Sequence, residues 1–328
     1  MSRLRFTKLQ KLNINKSFSF NINKYKIWRL KQISSRKTSL KALAGKKIEQ
    51  LEQYAIRSDV ARKLGEMIYN SDLYNIFSKK INEIRDIKLI EEIKKDSIPE
   101  HVAIIMDGNR RFANEFGLKP DAGHILGRDK LEEVLEWCFE LGIKNLTVYA
   151  FSTENFQRSN QEVKTLMELC KNELDKASKD SRIHKNQVRV RVLGHLESLP
   201  GDIARSAKNI MEQTKKYNKH SLNIALAYGG REEIIQAIKK IAEDVKNGKL
   251  KIEDIKEPIV SKYLYTNGIP DPDIILRTSG EERISNFLLW QLAYSELYFS
   301  DVYWPAFQKR DFLRAIRTVQ QRKRRFGR

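Results

Sequence analysis

The sequence predicts an α/β domain with a central, largely parallel sheet of six strands flanked by helices. Short apolar segments of strand length alternate with longer segments in which apolar residues recur at helical spacing. Polar motifs that contain glycine or arginine directly follow several of the short apolar segments. This alternation is typical of parallel sheets, which bind ligands at the carboxyl ends of their strands.

The six predicted strands all lie after residue 100. Their limits are His101–Asp107, Asn145–Phe151, Val188–Gly194, Leu222–Tyr228, Ile274–Thr278 and Glu296–Asp301. Amphipathic helices are predicted between most strands, and the clearest run from Gly127 to Leu141 and from Gln161 to Ala177. Because a helix separates most consecutive strands, parallel pairing is expected.

The residues before the sheet form two segments that differ in charge. Residues 1–48 contain 14 Lys and Arg and no acidic residue, whereas the whole chain has a formal net charge of +20. Such a segment is poorly suited to forming a core, so a disordered tail is predicted. Residues 49–98 show helical spacing of apolar residues up to a break at Pro99. The α/β domain is therefore predicted for residues 99–328.

Composition argues against membrane-spanning and secreted proteins. No apolar segment approaches the ~20 residues needed to span a membrane, and the chain does not begin with an apolar secretory signal. Cys138 and Cys170 lie on the apolar faces of predicted helices and are expected to be buried, reduced thiols. A cytoplasmic location is therefore expected.

The basic tail allows several interpretations. Its charges suit an anionic membrane surface, to which each Lys or Arg contributes about 1 kcal/mol, so peripheral membrane contact is one hypothesis. A targeting peptide, a disordered segment without a binding role, and a start codon upstream of the natural one are the alternatives. Nucleic acid is not expected as a partner, because the excess charge lies mostly in the tail and no nucleic-acid-binding motif is present.

The first motif that carries chemistry is Asp107-Gly108-Asn109-Arg110-Arg111, which directly follows the first strand. The glycine lets the backbone approach a ligand, and the arginines are fork-shaped donors that suit phosphate oxygens. The Asp107 carboxylate is a hard oxygen ligand of the kind that Mg²⁺ prefers. A solvated turn between strand and helix is the alternative.

The second motif, residues 151–158, follows the second strand. It brings hydroxyl, amide and guanidinium groups to the same edge of the sheet. An ordinary helix cap with Ser152 or Thr153 is the alternative. Such a cap would explain the hydroxyls and the glutamate, but not Asn155 and Arg158.

The third motif, residues 277–285, follows the fifth strand. Its two arginines and its hydroxyls, on a loop that contains Gly280, form a second candidate phosphate cradle. A surface loop with paired charges is the alternative. Two single residues are weaker candidates: His124 opens a helix and is by default a capping or core histidine, and Glu296 lies in an apolar stretch. The turn at residues 228–231 is interpreted as structural.

Several of these motifs together resemble the signature blocks of the cis-prenyltransferase family, which includes undecaprenyl and dehydrodolichyl diphosphate synthases. The resembling blocks are His101–Arg111, Tyr149–Phe156, Arg277–Glu281 and Ser285–Gln291. The resemblance runs from about Pro99 to Arg328 and leaves residues 1–98 outside. Pro120, where bacterial members have arginine, puts one phosphate contact in doubt unless Lys119 replaces it, and Arg110 and Phe112 favour the archaeal and eukaryotic branch.

The resemblance implies a transferase that repeatedly condenses isopentenyl diphosphate with an allylic diphosphate, either farnesyl or geranylgeranyl diphosphate. The product would be a long-chain polyprenyl diphosphate, the precursor of a glycosyl carrier lipid. The growing chain would occupy an apolar tunnel between the sheet and the helices at 127–141 and 161–177. A trans-prenyltransferase would need adjacent aspartates and a P-loop enzyme its glycine-lysine motif, and neither is present.

The resemblance also assigns roles to single residues. Asp107 would bind Mg²⁺, with Glu296 as a second ligand that could reach a neighbouring subunit's site, and Asn155 would take part in proton removal. The implied allylic contacts are Gly108, Asn109, Arg110, Arg111 and His124; those to isopentenyl diphosphate are Arg158, Arg277, Arg283 and Ser285; further substrate contacts are Phe112, Ser152, Thr153, Glu154, Phe156 and Ile284. A homodimer is implied, in which Arg325 and Gly327 complete the partner's site.

Overall fold

The computed structural model describes residues 72–322, with side-chain environments from residue 83 onward. The chain divides into two units, residues 1–85 and residues 86–328. Helix α1, Asp72–Lys94, begins in the first unit and ends in the second, and it lies within the predicted helical segment. The basic tail, residues 1–48, lies outside the described residues, as do Arg325 and Gly327.

The six predicted strands are present and form one parallel sheet, which confirms the predicted fold class. Their bounds are β1 His101–Ile105, β2 Asn145–Ser152, β3 Val188–Leu193, β4 His220–Tyr228, β5 Ile274–Arg277 and β6 Glu296–Phe299. The order across the sheet is β3-β4-β2-β1-β5-β6, and every neighbouring pair is parallel.

Helices connect most of the strands. After α1 the bounds are α2 Asn109–Glu115, α3 Pro120–Leu141, α4 Asn160–Ala177, α5 Ser181–Lys185, α6 Gly201–Thr214, α7 Gly230–Lys246, α8 Glu257–Tyr263 and α9 Lys309–Gln321. Short 3₁₀ helices lie at Thr153–Gln157, Leu196–Ser198, Ile252–Asp254, Gln291–Tyr294 and Trp304–Ala306. Helix α3 begins seven residues before its predicted start, because proline fits the first turn of a helix, where its missing N–H costs nothing.

Strand β1 is buried on both faces of the sheet. Val102 and Ile104 join the larger apolar core, which also contains the inward faces of α3, α4, α6 and α9. Ala103 and Ile105 point to the other face and pack in a smaller core with Phe287 of the loop that follows β5. A strand buried on both faces explains why residues 101–105 read as a continuous apolar run after the histidine.

The path of the chain reverses direction across the sheet at β1. From β1 it moves to β2 and on towards β3 and β4, whereas β5 pairs with the opposite edge of β1. Parallel sheets leave a crevice at such a point, outside the carboxyl ends of the two strands. The topology therefore places the residues after β1 and the residues after β5 at one crevice.

A chain of hydrogen bonds crosses the sheet at the beginning of β1. The Nε2 atom of His101 lies 2.7 Å from Thr147 Oγ1, and its Nδ1 atom lies 2.6 Å from the carbonyl oxygen of Pro270. Asn223 Nδ2 donates to the same threonine oxygen at 3.1 Å. The histidine is only 1% exposed, and burial lowers its pKa to about 4, although the Pro270 carbonyl favours the charged form.

We expect the free energy of unfolding to fall by about 2 kcal/mol between pH 6.5 and pH 5 through His101. The unfolded chain binds a proton on this ring near pH 6.5, whereas the folded chain binds it only near pH 4, so acid favours unfolding in this window. Urea unfolding at the two pH values measures the fall. His101→Gln should remove most of it, and His195→Gln, at a partly exposed histidine, should not; equal falls in both variants would contradict this assignment.

Both cysteines are free thiols, as the sequence predicts. Cys138 is buried and Cys170 is partly buried. Burial raises the pKa of both thiols well above the usual range, so neither is a reactive thiolate at neutral pH. None of the helices described within residues 72–322 is long and apolar enough to cross a bilayer.

Candidate active site

Asp107 lies at the centre of the crevice between β1 and β5. Its Oδ2 atom accepts a hydrogen bond from Arg277 Nη2 at 2.7 Å, and its Oδ1 atom accepts one from Arg111 Nη2 at 3.1 Å. Thr278 fixes the backbone at this point, because its hydroxyl donates to the Asp107 carbonyl at 2.7 Å. The motifs after β1 and after β5, which are 170 residues apart, therefore meet at one carboxylate.

The Asp107 carboxyl group is ionised at neutral pH. Partial burial raises its pKa, but the hydrogen bonds and charges of Arg277 and Arg111 outweigh burial and hold the pKa below its usual value. The side chain remains about a quarter exposed. Asp107 thus presents a charged oxygen ligand at the open edge of the sheet.

Gly108 lets the backbone pass between two neighbouring elements. Its φ angle is +98°, in the left-handed region, and it precedes the first residue of α2. A Cβ atom at this position would lie 2.7 Å from Tyr303 Cδ1 and 2.9 Å from Ser279 Cβ. Both the backbone conformation and the lack of space therefore require glycine here.

Arg277 is a buried cation, with 4% of its side chain exposed. Its Nη1 atom donates to Ser285 Oγ at 2.8 Å and to the carbonyl oxygen of Arg283. The charge is compensated by Asp107, and the two acceptors in the loop after β5 fix the guanidinium plane. Arg277 therefore joins the first and third motifs and orders the loop that carries Ser285.

Glu281 joins a further pair of arginines. Its Oε1 atom accepts a hydrogen bond from Arg111 Nη1 at 2.7 Å, and its Oε2 atom accepts one from Arg283. Arg111 also donates to Ser279 Oγ at 2.7 Å, and its guanidinium group lies 6.0 Å from the centre of the Tyr303 ring. Arg111 is thus held from several sides in one orientation.

Glu162, on the first turn of α4, joins the remaining two arginines of the motifs. Its Oε2 atom accepts a hydrogen bond from Arg110 Nη1 at 3.1 Å, and its Oε1 atom accepts one from Arg158 Nη1 at 2.8 Å. His124 lies among these charges, and its pKa is lowered by burial and then by Arg158. Its imidazole is therefore neutral at pH 7, and its Nε2 atom has no hydrogen-bond partner among residues 72–322.

The second motif forms a helix cap, and the cap includes Asn155. Ser152 is the N-cap of the 3₁₀ helix, and its N–H donates to Asn155 Oδ1 at 3.1 Å in a capping box. The expectation that a cap could not explain Asn155 is therefore wrong, because this side chain closes the cap. Arg158 lies beyond this N-cap and donates a hydrogen bond to Glu162, and its role in binding substrate stays a prediction.

Thr153 and Glu154 lie at the point where the loops after β2, β4 and β5 meet. Glu154 Oε1 accepts a hydrogen bond from Asn286 Nδ2 at 2.9 Å, and Asn286 Oδ1 accepts one from the backbone N–H of Arg231 at 2.9 Å. A Cβ atom on Gly229 would lie 2.7 Å from Thr153 Oγ1. The structural interpretation of the turn at 228–231 is thus confirmed, since its glycine makes room for this junction.

The loop after β5 has an unusual backbone. Ser279, Ser285, Asn286 and Leu288 all have positive φ angles, between 46° and 77°. This conformation is unfavourable for residues other than glycine, so surrounding contacts must stabilise it. The hydrogen bonds of Arg277 to Ser285 and of Asn286 to its neighbours provide that constraint. Strained backbone of this kind is typical of ligand-binding loops.

Glu296 lies far from Asp107 within the chain. It pairs in register with Ile274, which pairs with Val102, so it lies about 16 Å before Asp107 along the strand direction. Its carboxylate forms an ion pair with Arg322 at 3.0 Å. Within one chain Glu296 therefore lies well away from Asp107, at the opposite end of the strands, and its role as a second metal ligand, with reach to a neighbouring subunit's site, stays a prediction.

The remaining predicted contacts surround this centre. Asn109 packs against α3, where a Cβ atom on Gly127 would lie 2.4 Å from Asn109 Oδ1. Phe112 packs against Phe116 with ring centres 4.6 Å apart and the rings tilted by 33°, and Ile284 is partly buried. These positions place side chains at the edge of the site but give none of them a polar contact with Asp107.

A cavity of about 490 Å³ opens beside Phe156. Its lining comes from α4, α6 and their preceding loops, and includes Phe156, Val163, Met167, Pro200 and Ile203 together with Asn160, Lys164, Glu168, Lys171 and Asp202. It therefore lies between α4 and α6, whereas the tunnel expected between the sheet and the helices at 127–141 and 161–177 stays a prediction. On α3, Trp137 packs on Phe307 and Phe312, with ring centres 6.4 and 5.9 Å away.

Sequence reasoning missed the acidic partners of the arginines. Glu162 and Glu281 each join two arginines, and Tyr303 packs against both Gly108 and Arg111. Glu162 lies four residues after Arg158, a spacing that predicts an ion pair at a helix start and could have identified it. Tyr303 gave no such signal, because only the fold brings it to the site.

The donor set fits Mg²⁺ held in part by substrate oxygens. Mg²⁺ is usually bound by one or two carboxylates together with phosphate oxygens and water. Asp107 is an ionised, partly exposed carboxylate beside several phosphate-type donors. The residues 72–322 contain no cluster of three or more acidic, histidine or cysteine side chains that could hold a metal, so protein ligands alone do not complete a site there.

Comparison with known proteins identifies the family. A family model described as "Putative undecaprenyl diphosphate synthase" matches residues 105–327. A tritrans,polycis-undecaprenyl-diphosphate synthase (geranylgeranyl-diphosphate specific) of Pyrococcus furiosus is 55% identical over 264 residues, which cover 80% of this chain and 100% of the relative. The enzyme of the same name from Thermoplasma acidophilum is 55% identical over 73% of this chain and 93% of its own length.

Solved structures share the fold and the sequence signal. Lavandulyl diphosphate synthase from Lavandula x intermedia, solved in complex with dimethylallyl diphosphate, aligns with a TM-score of 0.68 and 35% identity, over 70% of this chain and 99% of that one. A probable undecaprenyl diphosphate synthase from Campylobacter jejuni aligns with a TM-score of 0.59 and 35% identity, over 71% and 100%. The archaeal relatives agree with the branch that Arg110 and Phe112 favour. The chain belongs to the undecaprenyl diphosphate synthase family and is a cis-prenyltransferase.

Proposed function

We propose that this enzyme elongates geranylgeranyl diphosphate by repeated cis condensation of isopentenyl diphosphate into a long-chain polyprenyl diphosphate. The observation that carries the proposal is the position of Asp107 between Arg111 and Arg277. One arginine belongs to the motif expected to bind the allylic diphosphate and the other to the motif expected to bind isopentenyl diphosphate. Two diphosphates held by these groups would bring the reacting carbons together at one sheet edge.

The arginines stabilise the negative charge that develops when the allylic C–O bond breaks. Arg110 and Arg111 would bind the departing diphosphate, and Arg158, Arg277 and Arg283 would hold the diphosphate of isopentenyl diphosphate. Asp107 would hold Mg²⁺ against the diphosphate oxygens, and the ion would supply further positive charge to the leaving group. The double bond of isopentenyl diphosphate then attacks the allylic carbon, and its C2 proton leaves.

Asn155 is proposed to receive or relay that proton. Its Oδ1 atom already accepts one hydrogen bond from the Ser152 N–H, and this bond fixes the direction of the amide. A carbonyl oxygen has a second lone pair, which remains as an acceptor. The cap thus gives Asn155 a defined orientation, which supports a positioning role in the reaction.

The choice of geranylgeranyl diphosphate over farnesyl diphosphate rests on the names of the archaeal relatives. Incubation with radiolabelled isopentenyl diphosphate and each of several allylic primers, followed by chromatography of the products by chain length, tests the proposal. We expect incorporation to be highest with geranylgeranyl diphosphate and the products to be long polyprenyl diphosphates. Incorporation with none of the primers would refute the proposed function. Long products would support a glycosyl carrier role for the product, which is a further proposal.

A homodimer is part of the proposal, because Glu296 lies at the sheet edge remote from Asp107 and contacts Arg322 near the C-terminus. A second copy could bring Glu296, Arg325 and Gly327 to the site of the first. Truncation after Arg324 should raise the KM for isopentenyl diphosphate about tenfold, the cost of one charged contact. Deletion of Arg328 alone should leave it unchanged. An active monomer in analytical ultracentrifugation, or an unchanged KM in the longer truncation, would contradict this arrangement.

Peripheral membrane contact through residues 1–48 also remains a proposal. It rests on the 14 positive charges of this segment and on the expectation that a long polyprenyl product must reach a membrane.

A further inference from the structure

Glu162 occupies an unusual position for a residue outside the recognised motifs. It is the third residue of α4, and its N–H donates to the N-cap side chain of Ser159. Only 17% of its side chain is exposed, whereas the two arginines that it binds are 53% and 29% exposed. The carboxylate is thus the most fixed member of this group of three charges.

The two arginines lie in segments that follow different strands. Arg110 lies on α2 after β1, and Arg158 lies after the cap that follows β2. One oxygen of Glu162 binds each of them, at 3.1 and 2.8 Å, so the carboxylate joins the loops after two neighbouring strands. An unrestrained arginine loses rotamer entropy when it is fixed on a ligand, and prior fixation on Glu162 reduces that loss.

We propose that Glu162 is a positioning residue that joins Arg110 and Arg158 into one unit and thereby couples the two diphosphate subsites. This inference rests on the proposed function, which assigns Arg110 to the allylic diphosphate and Arg158 to isopentenyl diphosphate. Ordering of either arginine by its diphosphate holds the shared carboxylate in place, and the carboxylate in turn holds the other arginine. Binding at one subsite therefore favours binding at the other.

The same helix provides a matched control. Glu173 also joins two cations through its carboxylate, Arg128 at 2.8 Å and Lys176 at 2.7 Å. Its side chain is similarly shielded, with 25% exposed, but its partners lie outside the three motifs. Glu173→Gln therefore removes the same kind of ion-pair network from α4 without touching the arginines of the site.

Steady-state kinetics of Glu162→Gln should show a KM about tenfold higher for both diphosphates, the effect expected for one lost charge-assisted hydrogen bond at each. The kcat should change by less than about threefold, because the residue does not contact the reacting carbons. Glu173→Gln should leave both KM values within about twofold. Glu162→Asp, which keeps the charge but shortens the side chain, should also raise both values and replaces the glutamine variant if that variant does not fold.

A double-mutant cycle tests the coupling itself. Arg110→Ala should raise the KM for isopentenyl diphosphate in the wild type, and should raise it no further in Glu162→Gln, because the connection is already broken. An equal increase in both backgrounds, or a Glu162→Gln variant that behaves like Glu173→Gln, would overturn the inference.

Failure of the proposed function would be seen separately, as a wild-type enzyme that incorporates no isopentenyl diphosphate with any primer. Calorimetric titration with inorganic pyrophosphate then still tests the positioning of the arginines. We expect Glu162→Gln to bind pyrophosphate about tenfold more weakly than Glu173→Gln. Equal affinities would overturn the role of Glu162.

Discussion

Asp107→Asn is expected to lower kcat about a thousandfold while the protein stays folded. The substitution preserves the shape of the side chain but removes the charge that faces Arg111 and Arg277 and that would hold Mg²⁺. Loss of a hard anionic ligand weakens Mg²⁺ binding, and a misaligned Arg277 weakens binding of the second diphosphate. Turnover of radiolabelled isopentenyl diphosphate at saturating substrate measures the effect.

The alanine variant separates the two roles of Asp107. Asp107→Ala should be equally inactive and should also cost about 3 kcal/mol of stability, because it leaves the buried Arg277 without its counter-charge. Asp254→Asn, at an exposed residue remote from the crevice, is the control and should change neither quantity. Turnover of Asp107→Asn within tenfold of the wild type would contradict the role of Asp107 as the metal-binding carboxylate.

Gly108→Ala should lower kcat about a hundredfold, the scale of a catalytic group displaced by about 1 Å. The new Cβ would lie 2.7 Å from the Tyr303 ring and 2.9 Å from Ser279 Cβ, so one of the three segments must move. Asp107 precedes this glycine and Arg111 contacts both neighbours, so the movement reaches the centre of the site. The positive φ angle adds about 1–2 kcal/mol of backbone strain.

Gly117→Ala is the matched control for this effect. Gly117 also has a positive φ angle, +67°, but a Cβ atom there would meet no neighbour within 4 Å. The variant should lose about 1–2 kcal/mol of stability from backbone strain and keep turnover within twofold. If Gly117→Ala lost as much turnover as Gly108→Ala, the strain and not the contacts with Tyr303 and Ser279 would account for the loss.

The centre of the sheet could be predicted because β1 and β5 are buried on both faces. Residues 101–105 and 274–277 are short apolar segments bounded by polar motifs, which is the pattern typical of strands buried on both faces. The meeting of Asp107 with Arg277 followed from the same reasoning, since parallel strands bring their carboxyl ends to one edge. Here the local sequence pattern and the topology of the sheet predict the same arrangement of Asp107 and Arg277.

The features that could not be predicted depend on contacts between elements distant in sequence. The ion pair between Glu296 and Arg322 could not be predicted, because it joins the start of β6 to a residue after α9. The packing of Trp137 on Phe312 could not be predicted, because the two residues lie on different helices, α3 and α9. The capping role of Asn155 was missed because the capping box usually has Glu or Gln, and not Asn, at the third position of the helix.

The late arrival of β5 has a consequence for synthesis of the protein. Arg277 follows Asp107 by 170 residues, so at roughly 5–20 residues per second it leaves the ribosome roughly 10 to 30 s later. During this interval β1, the middle strand of the finished sheet, has no neighbour on its β5 side and offers an unpaired backbone edge to other chains. The nascent chain therefore passes through a long, association-prone stage, and the crevice that would bind both diphosphates forms only when about the last sixth of the chain, from β5 onward, docks.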